Sequence, residues 1–169
     1  MIVQIDDYFI GMIFKGNQLV KNTIPLRGEE IFNFINGEVI SNPKEEYLKI
    51  AEIILKLYFA EIDDKEAREL INYKLEVPTF TRKVLDIVKD IEFGETLTYG
   101  DIAKKLNTSP RAVGMALKRN PLPLIIPCHR VVAKNSLGGY SYGLDKKKFI
   151  LERERIKNKK YKKAEDETA

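Results

Sequence analysis

The stretch from Pro121 to Arg130, PLPLIIPCHR, constrains the fold more than any other part of the chain, because Pro121, Pro123 and Pro127 fall within it. Proline fixes its own φ, removes a backbone donor and pushes the preceding residue away from the helical region. A helix cannot continue through such a stretch, so it must run as a stiff, extended connection. Cys128 directly follows the last of these prolines, and His129 follows Cys128. They are the only cysteine and the only histidine in the chain.

With 169 residues the chain has room for one large domain or two small ones, either able to bury a core. Hydrophobic residues at 44% and charged residues at 32% describe a folded globular protein rather than a disordered one. No apolar run is long enough to cross a bilayer, and the start MIVQIDDYF has neither a basic leader nor a cleavage site. A cytoplasmic location and no membrane partner are expected. One cysteine cannot close an internal disulfide, and one Cys with one His falls short of the ligand set of a zinc site, so no metal and no cofactor are expected. The net charge of +4 is concentrated toward the second half, which suits an anionic partner.

Alternating apolar residues at 2–5, 8–14 and 19–24 predict three strands in an antiparallel meander. Asn42-Pro43 then reads as an N-cap with proline at the first helical position, opening the helix EEYLKIAEIILKLYFA. A shorter helix is expected around Lys65 to Ile71. The break at Val77-Pro78 sets an expected domain boundary, giving an N-terminal α/β domain over 1–77 and a C-terminal domain over 78–156. The remainder, 157–169, is basic and then acidic and is expected to be a charged, flexible tail. TFTRKVLDIVKDI places Val84, Leu85, Ile87, Val88 and Ile91 on one side of a helix, with Gly94 as its stop. The fold class expected is therefore α/β of the α+β kind, with an N-terminal antiparallel three-stranded sheet plus helices and a mainly helical C-terminal domain.

Within that second domain, Thr98 with Asp101 reads as a capping box and Ser109-Pro110 opens another helix, RAVGMALKRN. Only Asn107-Thr108 separates the two. Such a helix-turn-helix is a DNA-binding device, and it is also an ordinary packing unit. Val113 and Leu117 share an inward face, whereas Arg111, Ala112, Gly114 and Ala116 leave the helix slim apart from one long cation. Lys104, Lys105, Lys118 and Arg119 are candidate phosphate contacts, or simply a solvated basic surface.

A thiol beside an imidazole can be a nucleophile with its base. A lone cysteine is also commonly a buried space-filler. Successive side chains of an extended segment point opposite ways, so contact between Cys128 and His129 requires a kink or a bridging water.

FTRKVL, FGETLTYGDIA, RAVGMALKRNPLPLIIPCHRVV and GGYSYG together make the chain from about Phe80 to Glu154 resemble the methylated-DNA–protein-cysteine methyltransferases, also called O6-alkylguanine-DNA alkyltransferases. The resemblance implies irreversible, single-turnover transfer of an alkyl group from O6-alkylguanine, with O4-alkylthymine as a second candidate substrate, to Cys128 after base flipping. It implies that His129 takes the thiol proton through a water, that Glu154 orients His129, and that Tyr99 donates a hydrogen bond to the leaving base. Asn120 takes the hinge position, and Arg111 becomes the finger that fills the gap left by the base. Ala112, Gly114, Ala116, Lys118 and Arg119 meet the DNA in its minor groove, and Pro127, Tyr140, Ser141 and Tyr142 line the pocket. Spacing alone cannot choose between Glu152 and Glu154 in ILERERI; the resemblance picks Glu154. The implied partner is double-stranded DNA carrying alkylated guanine, and the implied state is a monomer. A non-catalytic lesion sensor or DNA-binding regulator is the alternative, as is a cysteine hydrolase. Such sensors lack the acceptor cysteine that is present here.

Overall fold

The structure is a computed structural model that describes residues 1–168, apart from the side chains of residues 161, 162, 164, 165 and 168. The chain divides into two units, Met1–Glu76 with Pro121–Ile126, and Val77–Asn120 with the residues from Pro127 onward.

In the first unit the alternating segments form β1 (Ile2–Ile5), β2 (Tyr8–Lys15) and β3 (Gln18–Asn22), an antiparallel meander. The connecting turns use left-handed backbone at Asp6 and Gly16, conformations that short polar residues and glycine adopt most readily. A fourth strand, β4 (Leu26–Arg27), pairs with β2 at Tyr8 and Phe9. Two residues carry too little periodicity for sequence to reveal it.

The helix α1 (Glu45–Tyr58) buries Ala51, Ile54 and Leu57 and packs on β1 and β2. Its start corrects the expected cap. Lys44, not Asn42, is the N-cap residue and makes no side-chain capping bond. Glu45 and Glu46 in the first turn instead complement the exposed amide end electrostatically. Asp63 caps the short α2 (Asp64–Leu70), accepting from the Lys65 amide at 2.9 Å.

The second unit opens with α3 (Thr79–Lys89), entered through Pro78 and burying Thr81, Val84, Leu85 and Val88. A two-residue parallel pair, β5 (Leu97–Thr98) and β6 (Val131–Val132), was not anticipated. The capping box that starts α4 (Tyr99–Leu106) is present in both directions, at 2.8 and 3.0 Å. Asn107 turns the chain with φ of 52°, and Ser109 caps α5 (Pro110–Lys118) by accepting from the Ala112 amide at 3.1 Å. The helices α3, α4 and α5 pack against one another. At 1.5–3 kcal/mol for each fully buried aliphatic side chain, Val84, Leu85, Val88, Ile102 and Val113 supply roughly 10 kcal/mol toward holding them together.

Pro121–Ile126, inside the stretch 78–156 expected to be the second domain, groups with the first unit. The hydrogen bonds made there by Asn22 and Arg68 are the physical reason. The tail expected to be flexible continues as helix, since α6 runs Leu144–Thr168. Lysine, glutamate and arginine are good helix formers, and neither glycine nor proline interrupts the chain after Gly143. Among the described residues, no helix is long and apolar enough to cross a membrane.

Candidate functional site

The kink that the Cys-His pair requires is present. The segment before it is not the extended connection expected, since the chain turns at 122–126, with the Ile126 amide donating to the Leu122 carbonyl at 2.9 Å. After Pro127, Cys128–Arg130 coils into a single 3-10 turn, with the Arg130 amide donating to the Pro127 carbonyl at 3.0 Å. Pro127 and His129 are buried, whereas Cys128 is partly exposed. The turn leads directly into β6, whose partner β5 leads directly into Tyr99. A parallel pair of two-residue strands thus brings Tyr99 to the neighbourhood of the thiol.

Behind the turn, Glu154 is buried at 3% exposure on α6. Its Oε1 accepts from His129 Nε2 and from Arg130 Nε, both at 3.0 Å, and its Oε2 accepts from Arg130 Nη2 at 2.9 Å. Arg130, itself 1% exposed, also donates through Nη1 to the Ile91 carbonyl and lies over the Phe93 ring. Burial pushes the Glu154 carboxyl up, but His129 and Arg130 outweigh it and hold the group down at about 2. Glu154 is therefore an acceptor at any working pH. Nε2 of His129 must carry the hydrogen, which leaves Nδ1 of the neutral ring as the basic nitrogen. That Nδ1 is buried with no hydrogen-bond partner among the described residues.

The thiol itself is less activated than sequence suggests. Burial raises the Cys128 pKa above its ordinary value, against the opposing pull of a hydrogen bond from the Asn120 side chain and the charge of Lys147. At rest it is a protonated thiol, and a base is needed to make it a nucleophile. Asn120 directly follows Arg119, the C-cap of α5, and its side chain reaches the sulfur.

Tyr99 accepts a hydrogen bond from the Gly139 amide at 3.2 Å, so its own hydroxyl hydrogen is directed elsewhere. Burial raises its pKa, keeping it a donor. Gly138 makes this approach possible: with φ of 74°, any Cβ there would lie 2.6 Å from the Tyr99 hydroxyl. The following loop sets the Tyr140 and Tyr142 rings against each other, centroids 5.8 Å apart and planes tilted by 54°, and leaves Ser141 exposed.

Sequence reasoning missed Lys147. It is 1% exposed and donates from Nζ to the Val131 carbonyl at 2.7 Å and to Gly139 at 2.9 Å, tying the tyrosine loop to β6. Burial lowers its pKa to about 8, partly offset by the negative charge Cys128 can carry. One signal could have found it. Lys147, Ile150 and Glu154 are spaced three and four apart, a single stripe on α6. Arg130 was also passed over, although an arginine next to a buried His-carboxylate pair is its natural counter-ion.

On α5 the expected outer face needs one change. Ala116 lies three residues after Val113 and shares its buried face, at 3% exposure. Arg111, Lys118 and Arg119 are exposed, while Ala112 and Gly114 are intermediate. Met115, 52% exposed, occupies the outer surface where Ala116 was expected.

Comparison with known proteins gives the family. Residues 2–73 match the methylated DNA-protein cysteine methyltransferase OGT N-terminal domain, and residues 79–156 match the 6-O-methylguanine DNA methyltransferase, DNA binding domain. A methylated-DNA–protein-cysteine methyltransferase of Methanocaldococcus jannaschii is 88% identical, over 92% of this chain and 93% of that protein. One from Methanocaldococcus vulcanius is 73% identical, over 94% and 99%. The solved structure of an O6-methylguanine DNA methyltransferase from Methanococcus jannaschii, 88% identical, superposes with a TM-score of 0.76 over 92% of this chain and 93% of that one. The chain belongs to the methylated-DNA–protein-cysteine methyltransferase family.

Proposed function

We propose that this protein repairs O6-alkylguanine in duplex DNA by moving the alkyl group onto Cys128, as a monomer in the cytoplasm. The observation that carries this reading is the buried His129–Glu154–Arg130 trio immediately behind the chain's single thiol. Glu154 fixes the ring through Nε2, and Nδ1 takes the thiol proton through an intervening water. The logic is that of a catalytic triad with a water inserted. Arg130 already balances the carboxylate charge, so the imidazolium is balanced by the thiolate it creates.

The thiolate sulfur attacks the alkyl carbon in line. A sulfur–carbon bond forms, the carbon–oxygen bond breaks, and the bonding pair stays on the O6 atom of guanine. Tyr99 gives its hydroxyl proton to the leaving base, and the proton held by His129 restores the phenol. Guanine leaves neutral. The thioether has no ready leaving group, so each chain acts once. O4-alkylthymine presents the same alkyl–oxygen bond and falls within the same chemistry.

DNA approaches α5. The minor groove of B-DNA is roughly 6 Å wide, and a helix with its side chains is about 10–12 Å across, so the groove must open and the helix must be slim. Ala112 and Gly114 keep it so, Arg111 fills the gap left by the flipped base, and Lys118 and Arg119 meet phosphates. Flipping costs a few kcal/mol and least for a poorly paired base, which favours lesions without sequence reading. Pro127, Tyr140, Ser141 and Tyr142 line the base pocket.

Mass spectrometry after incubation with an O6-methylguanine duplex should find one added methyl on the Cys128 peptide and none in Cys128→Ala. Duplex binding by the wild type with no adduct would instead support a lesion sensor. The trio also sets a pH dependence. The Glu154 carboxyl is depressed from 4.5 to about 2 by folding, so its contribution to stability is complete above pH 4.5 and is lost as the pH falls toward 2. Urea midpoints of wild type and Glu154→Gln should approach one another as the pH falls from about 4.5 toward 2; a constant gap would mean that the carboxylate charge is not what holds the trio. Tyr142 crowds the pocket, so Tyr142→Gly should speed transfer of a benzyl group more than of a methyl. Equal effects on both substrates would remove Tyr142 from the pocket.

A further inference from the structure

The segment leading to the reactive turn belongs to the first unit, and it is held there by directed bonds. Pro121–Ile126 groups with Met1–Glu76, and Cys128 follows after Pro127 alone. The Asn22 amide donates to the Pro121 carbonyl at 3.0 Å. The Asn22 side chain donates through Nδ2 to the Pro123 carbonyl at 3.1 Å and to that of Thr23 at 3.0 Å. Arg68 Nη1 donates to the Ile125 carbonyl at 2.8 Å while paired with Asp64 at 2.6 Å. The carbonyls gripped are those of residues 121, 123 and 125.

What is gripped is strained. Ile126 donates back to the Leu122 carbonyl at 2.9 Å, and Leu124 between them has φ of 71°. Leucine rarely adopts left-handed backbone, and such residues persist only where the surroundings over-determine them. The grip is also a poor choice for stability alone. Asn22 and Asp64 are each 1% exposed, and Asn22 Oδ1 is buried with no hydrogen-bond partner among the described residues. Apolar residues would fill the same space without burying a polar atom unsatisfied or a charge. What these residues supply is geometry.

We propose that Asn22 and Arg68 are positioning residues for alkyl transfer, fixing the Pro121–Ile126 backbone that leads to Cys128. This rests on the reading of Cys128 as the acceptor. Neither residue touches the substrate. They act through the strained turn and Pro127, whose fixed φ limits how much play at Ile125 is absorbed before it reaches the sulfur. In-line attack tolerates little play, since a misplacement of about 1 Å costs on the order of a hundredfold in rate.

The test uses full-length Asn22→Leu, Arg68→Met and Arg68→Lys, with Ala51→Gly as a comparator that loosens the same unit at α1 without touching the grip. Single-turnover methyl transfer from an O6-methylguanine duplex is measured well below each thermal midpoint, and duplex affinity is measured in a Cys128→Ala background. Asn22→Leu and Arg68→Met should slow transfer roughly ten- to a hundredfold with duplex affinity held within about twofold. Arg68→Lys should recover part of the rate, and Ala51→Gly should match wild type. Transfer within about twofold of wild type in both grip variants, or equal slowing in Ala51→Gly, would overturn the proposal. A wild type that transfers no methyl group overturns the acceptor reading and this inference with it.

Discussion

One carboxylate in a dry interior, shared between an imidazole and a guanidinium, is the interaction on which the second unit depends. Taking an ion out of water costs several kcal/mol even after relaxation, and the cost is met only when its lone pairs are filled by good donors. Glu154 receives three, two of them from Arg130 in a two-point clasp. Arg130 in turn reaches the Ile91 carbonyl beyond the end of α3. The clasp therefore fixes the rotational phase of α6, and that phase also carries Lys147 inward.

Charge then explains how the site waits and how it fires. A protonated thiol is a poor nucleophile toward adventitious electrophiles, which matters for a group that can be used once. Lys147 stands close enough to favour the thiolate and is tied to two carbonyls rather than to a carboxylate, so its charge is not already cancelled. The same tie holds the loop that reaches Tyr99. Hydrogen bonds thus tie Lys147 on α6 to β6 and to the loop that reaches Tyr99 on α4, while Glu154 on the same helix holds the 3-10 turn.

The strands and amphipathic helices were legible in the sequence because their spacing reports burial directly. The capping box at Thr98 was legible because both partners lie within one turn. The cap of α1 was misread, since Asn42-Pro43 has the right residue types but Glu45 and Glu46 satisfy the helix end further on. Glu154 and Lys147 resist a sequence reading for a different reason. Charged residues on a lysine-rich helix look solvated until something opposite them, here Arg130 and two carbonyls, makes burial tolerable. Ala116 was assigned to the wrong face because small residues fit either one. The return of Pro121–Ile126 to the first unit is a long-range pairing with Asn22 and Arg68, and no local pattern encodes it.

The central claim is that Glu154, held as a carboxylate, forces the hydrogen of His129 onto Nε2 and leaves Nδ1 as the base. His129 is the only histidine in the chain, so its ring nitrogens can be observed without assignment ambiguity. In a ¹⁵N-histidine-labelled sample at a pH where the ring is neutral, long-range ¹H–¹⁵N spectra should show a protonated Nε2 and a bare Nδ1 in the wild type. The preference should weaken in Glu154→Gln. A wild-type ring protonated on Nδ1 would contradict the account.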